Sequence, residues 1–218
     1  MRQFHETLAR VGLAAIERYG FVLAGGYALS ANGIGNRLSM DIDLFTDVPN
    51  PDGFRRATED IVRAYEAHGL TVEVRRTAPT LVDLSVRGPR HGEESGVRLG
   101  LDFRALPPAR ASVGPVLDVT DAVGNKVGAL WSRGEPRDYI DIYSVAESGR
   151  FSKSEILELG DQREALPFDR PMLARRFRAV QNIQSREFVA FGLTSPTDHR
   201  ALVGFFVQWA DEVDSDGV

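Results

Sequence analysis

The chain has 218 residues, 43 % of them hydrophobic and 26 % charged, with a net charge of −5. That balance belongs to a globular protein with ample core for one large domain or two small ones, and its acidity argues against indiscriminate nucleic-acid binding. Cysteine is absent, which excludes disulfides, thiolate metal sites and cysteine nucleophiles. With no signal-peptide core and no membrane-length apolar run, the expectation is a soluble, cytoplasmic protein without a membrane partner.

In chain order, Phe4 to Arg18 carries Leu8, Val11, Ala15 and Ile16 at helical spacing, and Gly20 ends that helix. Phe21 to Ala24 reads as a short buried strand, Gly25-Gly26 as a turn, and Tyr27 to Asn32 as a short helix. After the turn Gly33 to Asn36, the run Ser39-Met40-Asp41-Ile42-Asp43-Leu44-Phe45 alternates at strand period. Asp41 and Asp43 therefore share one face, with Ile42 and Leu44 on the other. Asp52 is placed to cap a helix from Gly53 to His68. Strands are expected over Thr71 to Arg76 and Thr80 to Val86, an exposed hairpin loop over Gly88 to Gly96, and a further strand over Val97 to Ala105 carrying Asp102. From Thr120 the pattern is helical, with candidate helices Thr120 to Trp131, Pro136 to Glu147, Ser152 to Glu164, Asp169 to Ile183 and Pro196 to Val213. The boundaries follow as 1–118 for a mixed α+β domain and 119–218 for a helical one.

Like charges two residues apart on one strand face repel, and a divalent cation between Asp41 and Asp43 would convert that repulsion into binding. A glycine turn leading into a helix offers N–H groups to an anion, so Gly25 and Gly26 suit a phosphate. Asp102 is the candidate third carboxylate, to activate an attacking hydroxyl. Lys126 is one of only two lysines; it borders an apolar helical face, from which its ammonium can meet a triphosphate. Asp138 and Asp141 share a helical face at the edge of the core and need cationic partners, with Lys126, Arg133 and Arg137 the nearest in sequence. Ser39 binds a γ-phosphate, is itself modified, or simply caps the entry of the strand. The four histidines have no metal-ligand spacing, and Tyr27, Tyr139, Tyr143 and Trp131 read as core. Acid collects at Asp211, Glu212, Asp214 and Asp216, and arginine at Arg170, Arg175, Arg176, Arg178 and Arg186.

Taken together, Gly25-Gly26-Tyr27-Ala28-Leu29, Arg37-x-Ser39-x-Asp41-Ile42-Asp43-Leu44, Lys126, Arg133 and Arg137-Asp138-Tyr139-x-Asp141 resemble the AbiEii/AbiGii nucleotidyltransferase toxin family, which includes the MenT-like toxins. The resemblance implies an α+β, polymerase-β-like nucleotidyltransferase core, a mixed sheet with flanking helices, followed by a C-terminal helical bundle. It implies transfer of a nucleotide from an NTP with Mg²⁺, or Mn²⁺ in its place, to the 3′ acceptor end of tRNA, blocking translation. Asp41 and Asp43 would hold the metal. Gly25, Gly26, Arg37, Ser39 and Lys126 would bind the nucleotide, and Asp141 would be a further catalytic carboxylate beside Asp41, Lys126 and Asp102. Ser39 matches a position that a cognate antitoxin phosphorylates in some members, where phosphate would repel the incoming triphosphate. The family's usual Gly-Ser is Gly25-Gly26 here, so a hydroxyl contact at position 26 is missing. Two other functions compete: the same chemistry on a small acceptor such as an aminoglycoside, and a catalytically degenerate fold used as a binding or antitoxin module. The arginines from 170 to 186 favour RNA, and the site is predicted in the cleft between the two halves.

Overall fold

The computed structural model describes residues 2–215, so Asp216 of the acidic tail lies outside the described residues. The chain divides into two units. One comprises the chain up to Asn32 together with Ser39–Val119; the other comprises Gly33–Leu38 and everything from Thr120 on.

The first unit opens with α1 (Gln3–Ile16), which buries Leu8, Val11, Leu13 and Ile16 along one stripe. A 3₁₀ turn (Glu17–Tyr19) and Gly20, at φ 81°, end it. Then come β1 (Val22–Leu23), α2 (Gly25–Ala31), β2 (Asp41–Thr46) and α3 (Pro51–Ala67). The cap of α3 is Asn50, whose side chain accepts from the Gly53 N–H, not Asp52 as the sequence suggests. Pro51 explains the difference: it has no N–H to satisfy and its fixed φ suits the first helical position, so the helix starts before Asp52.

The strands β3 (Thr71–Ala78), β4 (Leu81–Arg87), β5 (Glu94–Leu101), β6 (Ala109–Ala111) and β7 (Gly114–Val116) complete the sheet. Among the described residues, seven strands form one mixed sheet in the order β3-β4-β5-β2-β1-β7-β6. β2 runs parallel to β5 and β1 parallel to β7, and the other neighbours are antiparallel. Ile42, Leu44, Val97, Leu99, Leu84 and Val86 are buried on one face, leaving the other face to polar side chains.

Strand boundaries shift from the sequence expectation by one or two residues in β2, β3 and β4, and by more in β5. β5 begins at Glu94, not Val97, because Glu94, Ser95 and Gly96 pair with Arg87, Val86 and Ser85 of β4; the backbone ladder forms regardless of their polar side chains. It ends at Leu101, and Asp102 lies beyond it. β6 and β7, three residues each, are too short to show a period.

The second unit is helical: α4 (Val119–Ser132), α5 (Pro136–Glu147), α6 (Lys153–Asp161), α7 (Arg170–Arg178), a 3₁₀ turn (Ala179–Asn182), α8 (Ser185–Val189) and α9 (Pro196–Ser215). Its core is aromatic. Phe177 lies 4.6 Å from Trp209 between ring centres, and Tyr139 meets Phe206 edge-on at 5.0 Å. Tyr143 packs on Phe205 and Trp131 on Phe168, so these aromatics serve packing. Arginine and acid meet within this unit: Arg178 pairs with Asp211 and Asp214, and Lys153 with Glu212. Arg170 holds Asp161, and Arg176 donates to the Trp131 carbonyl. Three of the five arginines taken from the sequence as an RNA surface are thus engaged inside the unit.

Candidate active site

In the first unit, β2 sets the carboxylates. Asp41 and Asp43 are half-buried on one face, alternating with Ile42 and Leu44, both 0 % exposed. A glycine abuts each carboxylate. Gly25, at φ 62°, opens α2 directly over Asp43, and any Cβ there would overlap Asp43 Oδ2. Gly96 is paired in register with Asp41, and a Cβ at 96 would come 2.6 Å from Asp41 Oδ1. The Ala24 N–H donates to the Asp43 carbonyl at 2.8 Å, tying the start of the glycine turn to the strand. Gly25-Gly26 is the first turn of α2, not a loop before it.

Ser39 is buried. Its hydroxyl donates to the Asp41 carbonyl at 3.2 Å, and its own carbonyl accepts from Tyr27 at 3.4 Å. The Tyr27 hydroxyl in turn lies 2.6 Å from His5 Nδ1, with the imidazole 1 % exposed. Burial, reinforced by Arg2, lowers the His5 pKa below its ordinary value, so the neutral ring is favoured. The sequence reading sets His5 among the structural or surface histidines, and its bond to Tyr27 leaves no local spacing signal.

Asp102 is not brought to the pair. Parallel register sets Asp41 opposite Gly96, Asp43 opposite Arg98 and Thr46 opposite Leu101. Asp102 follows, its N–H donating to the Thr46 carbonyl at 2.9 Å. Four residues of strand separate it from Asp43's partner, roughly 13 Å at about 3.3 Å per residue. The position expected to hold a third carboxylate holds Arg98, a residue the sequence reading did not single out. Among the described residues no group of three or more Asp, Glu, His or Cys is placed to hold a metal ion. Two carboxylates supplying hard oxygen donors fit a Mg²⁺ ion that takes its remaining ligands from water and substrate phosphate.

The second unit holds a compact ion cluster. Arg37 grips Asp141 with both arms, Nε to Oδ1 at 2.6 Å and Nη2 to Oδ2 at 2.8 Å. Lys126 Nζ, from α4, lies 2.8 Å from the same Oδ2. The three side chains are 4–8 % exposed. Burial pushes the Asp141 carboxyl upward, but Lys126 and Arg37 outweigh it and hold it below the ordinary carboxylate range. Two cations and one anion leave a formal charge of +1. Phe191 lies under the Arg37 guanidinium at 5.9 Å.

Asp138 has a separate task. Arg133 binds it through two bonds of 2.8 and 2.7 Å, and the Glu135 N–H donates to it at 3.0 Å. Fully buried at the N-terminus of α5, it joins that helix to the end of α4.

A carboxylate pair on a central strand of a mixed sheet, with the glycine start of α2 against it, is an arrangement that suits a nucleotidyltransferase. The chain belongs to the AbiEii family, described as nucleotidyl transferase AbiEii toxin of a type IV toxin–antitoxin system, whose model matches residues 7–201. It is therefore a nucleotidyltransferase toxin, with an NTP as substrate and an antitoxin as its counterpart. The fold is shared with MenT4, a nucleotidyltransferase toxin from Mycobacterium tuberculosis H37Rv, at TM-score 0.62 and 18 % identity over 97 % of this chain and 84 % of that one. It is shared also with JHP933 from Helicobacter pylori, at TM-score 0.58 and 17 % identity over 100 % of this chain and 96 % of the other. Among curated proteins none matches the sequence. No helix among the described residues is long and apolar enough to cross a membrane.

Proposed function

We propose that this toxin transfers the nucleoside monophosphate of an NTP to the 3′ acceptor end of tRNA with Mg²⁺, and so blocks translation in the cytoplasm. The observation that carries this reading is the placement of Asp41 and Asp43 side by side, each against a glycine at which any side chain would collide with the carboxylate. Mg²⁺ held by this pair would supply charge neutralisation at the phosphoryl group being transferred.

The chain's own residues bind and orient. Lys126 and Arg37 are the residues suited to a triphosphate, their cluster carrying net positive charge. Asp141 has both oxygens engaged by those two cations, so it acts through them as a positioning carboxylate. Gly25 and Gly26 line the phosphate side of the site, and Ser39 holds the strand entry through the Asp41 carbonyl. In the reaction a 3′-oxygen–Pα bond forms, the bond from Pα to the β-phosphate's bridging oxygen breaks, and pyrophosphate leaves. The hydroxyl proton passes to solvent, since Asp102 lies at the far end of β5.

Transfer to a small acceptor is tested by a parallel incubation in which an aminoglycoside replaces the tRNA. Incubation with each labelled NTP, Mg²⁺ and total tRNA is expected to label tRNA, and Asp41→Ala and Lys126→Ala are each expected to abolish labelling. Labelling that survives in both variants would remove this site from the reaction. Labelling of an aminoglycoside, with none of any RNA, would transfer the chemistry to the small-acceptor reading.

A further inference from the structure

The sheet gives the carboxylate pair two unlike flanks. β1 lies on one side of β2 and leads into Gly25, which sits over Asp43. β5 and then β4 lie on the other. A cavity of about 400 Å³ opens over β4 and β5 and is lined by Asp41 itself. The strand residue paired with Asp41 is Gly96, and any larger residue there would press on the Asp41 carboxylate from this side.

Arg98, in register with Asp43, lines the cavity with its side chain 45 % exposed. Its Nε donates to Asp83 Oδ1 at 2.7 Å. That bond to Asp83 raises the Arg98 pKa, with Asp43 and Asp41 adding attraction from the metal-binding side. Arg75 lines the same cavity at the point where β3 shifts register between Val74 and Arg76, and it pairs with Glu73 at 2.8 Å. Ser85 donates to Glu94 at 3.1 Å, and both also line it.

In-line displacement needs the attacking hydroxyl opposite the leaving pyrophosphate. With the triphosphate on the Gly25 flank, the acceptor enters from the β5 flank. The lining suits one chemistry there. Guanidinium groups face a phosphodiester, and carboxylate and hydroxyl oxygens face ribose hydroxyls. The lining holds two guanidiniums, Arg75 and Arg98, beside three carboxylates, Asp41, Asp83 and Glu94; Asp83 engages only the Nε of Arg98, which leaves its terminal nitrogens to face a phosphate.

We propose that this groove is the acceptor subsite and that it takes a single-stranded, phosphodiester-linked 3′ end gripped by Arg98. The proposal rests on the nucleotidyl-transfer reading above. Binding of a short fluorescent single-stranded RNA is measured by anisotropy across a salt series, and binding of NTP with Mg²⁺ by calorimetry, on the full chain. Arg98→Gln is expected to weaken RNA binding roughly tenfold. It should also flatten the slope of log K against log salt by about 0.7, the signature of one lost phosphate contact on a single strand. Ser85→Tyr, which narrows the groove away from Asp41, is expected to abolish transfer to RNA. Both variants should bind NTP with Mg²⁺ as the unsubstituted protein does. Unchanged RNA affinity and salt slope in Arg98→Gln, or full transfer by Ser85→Tyr, overturns the groove assignment while the transfer reading stands. Displacement of the RNA by an aminoglycoside with unchanged NTP binding overturns it too. If the unsubstituted chain binds no NTP, the transfer reading itself falls and takes the groove with it.

Discussion

Asp141 is held by two cations, and its side chain is 4 % exposed. Asp141→Asn would leave Lys126 and Arg37 buried beside a neutral amide, a loss of about 3–5 kcal/mol in stability by the measure of broken buried pairs. Urea denaturation is expected to show that loss, and NTP binding to weaken with it, since both cations lose their common anchor. His5 makes the opposite kind of demand. Its pKa is lowered from 6.5 by burial first and by Arg2 second, so the unfolded chain takes up a proton at a higher pH than the folded one. Its contribution is therefore complete above the unfolded pKa and is lost as pH falls from about 6.5 through the lowered folded value. Melting temperature should drop between about pH 7.5 and about pH 5.5, and His5→Phe should flatten that part of the profile. A profile identical in both proteins would remove His5 as its source. At this scale Asp41 and Asp43 were legible in the sequence because period-2 alternation is a local property. The Arg37–Asp141 contact was not, since it joins side chains 104 residues apart, and no local pattern records a tertiary pairing.

Helix α5 shows what an ion pair contributes to an element. Pro136 opens it, Glu135 is its N-cap, and Asp138 in the first turn accepts from the Glu135 N–H, with Arg133 reaching from the end of α4. The sequence reading left open whether Asp138 served structure or chemistry; its complete burial and three bonds give it to structure. Arg133→Ala is expected to cost about 1–3 kcal/mol, because the Arg133 side chain is 39 % exposed and the Glu135 N–H still serves the carboxylate. Calorimetric unfolding checks the value, and NTP binding at a temperature where the variant is folded should be unchanged. Amphipathic elements such as α1, α3, α5 and α9 were legible from helical spacing. Strands β6 and β7 were not, being three residues each, and the misplaced start of β5 has the same cause: pairing with β4 recruited residues that carry no strand signature of their own. The place of Asp102 could not be read locally, because a strand's sequence does not reveal its register. Only the parallel pairing of β5 with β2 shows which of its residues stands beside the aspartates.

For the whole molecule, the net charge of −5 coexists with a site built from local positive charge. The acid of α9 does not oppose that site, because Asp211, Glu212 and Asp214 are engaged by Arg178 and Lys153. The arginines counted from the sequence as an RNA surface are in part the same groups, which a linear tally of charge could not show. Fewer cations are therefore left for a phosphodiester than composition suggests, and the proposed acceptor groove relies on Arg98.

The segment Gly33–Leu38 groups with the helices although it is flanked on both sides by chain of the sheet unit. The two units are consequently not exchangeable modules. A gene cut at Val119 would send Arg37 off with the sheet and strand Asp141 with Lys126 alone, so each product would carry half of a charge balance that neither half can restore. Recombination at that boundary, the obvious place to build a chimera with a new helical half, would have to carry Arg37 and Asp141 across as a matched pair.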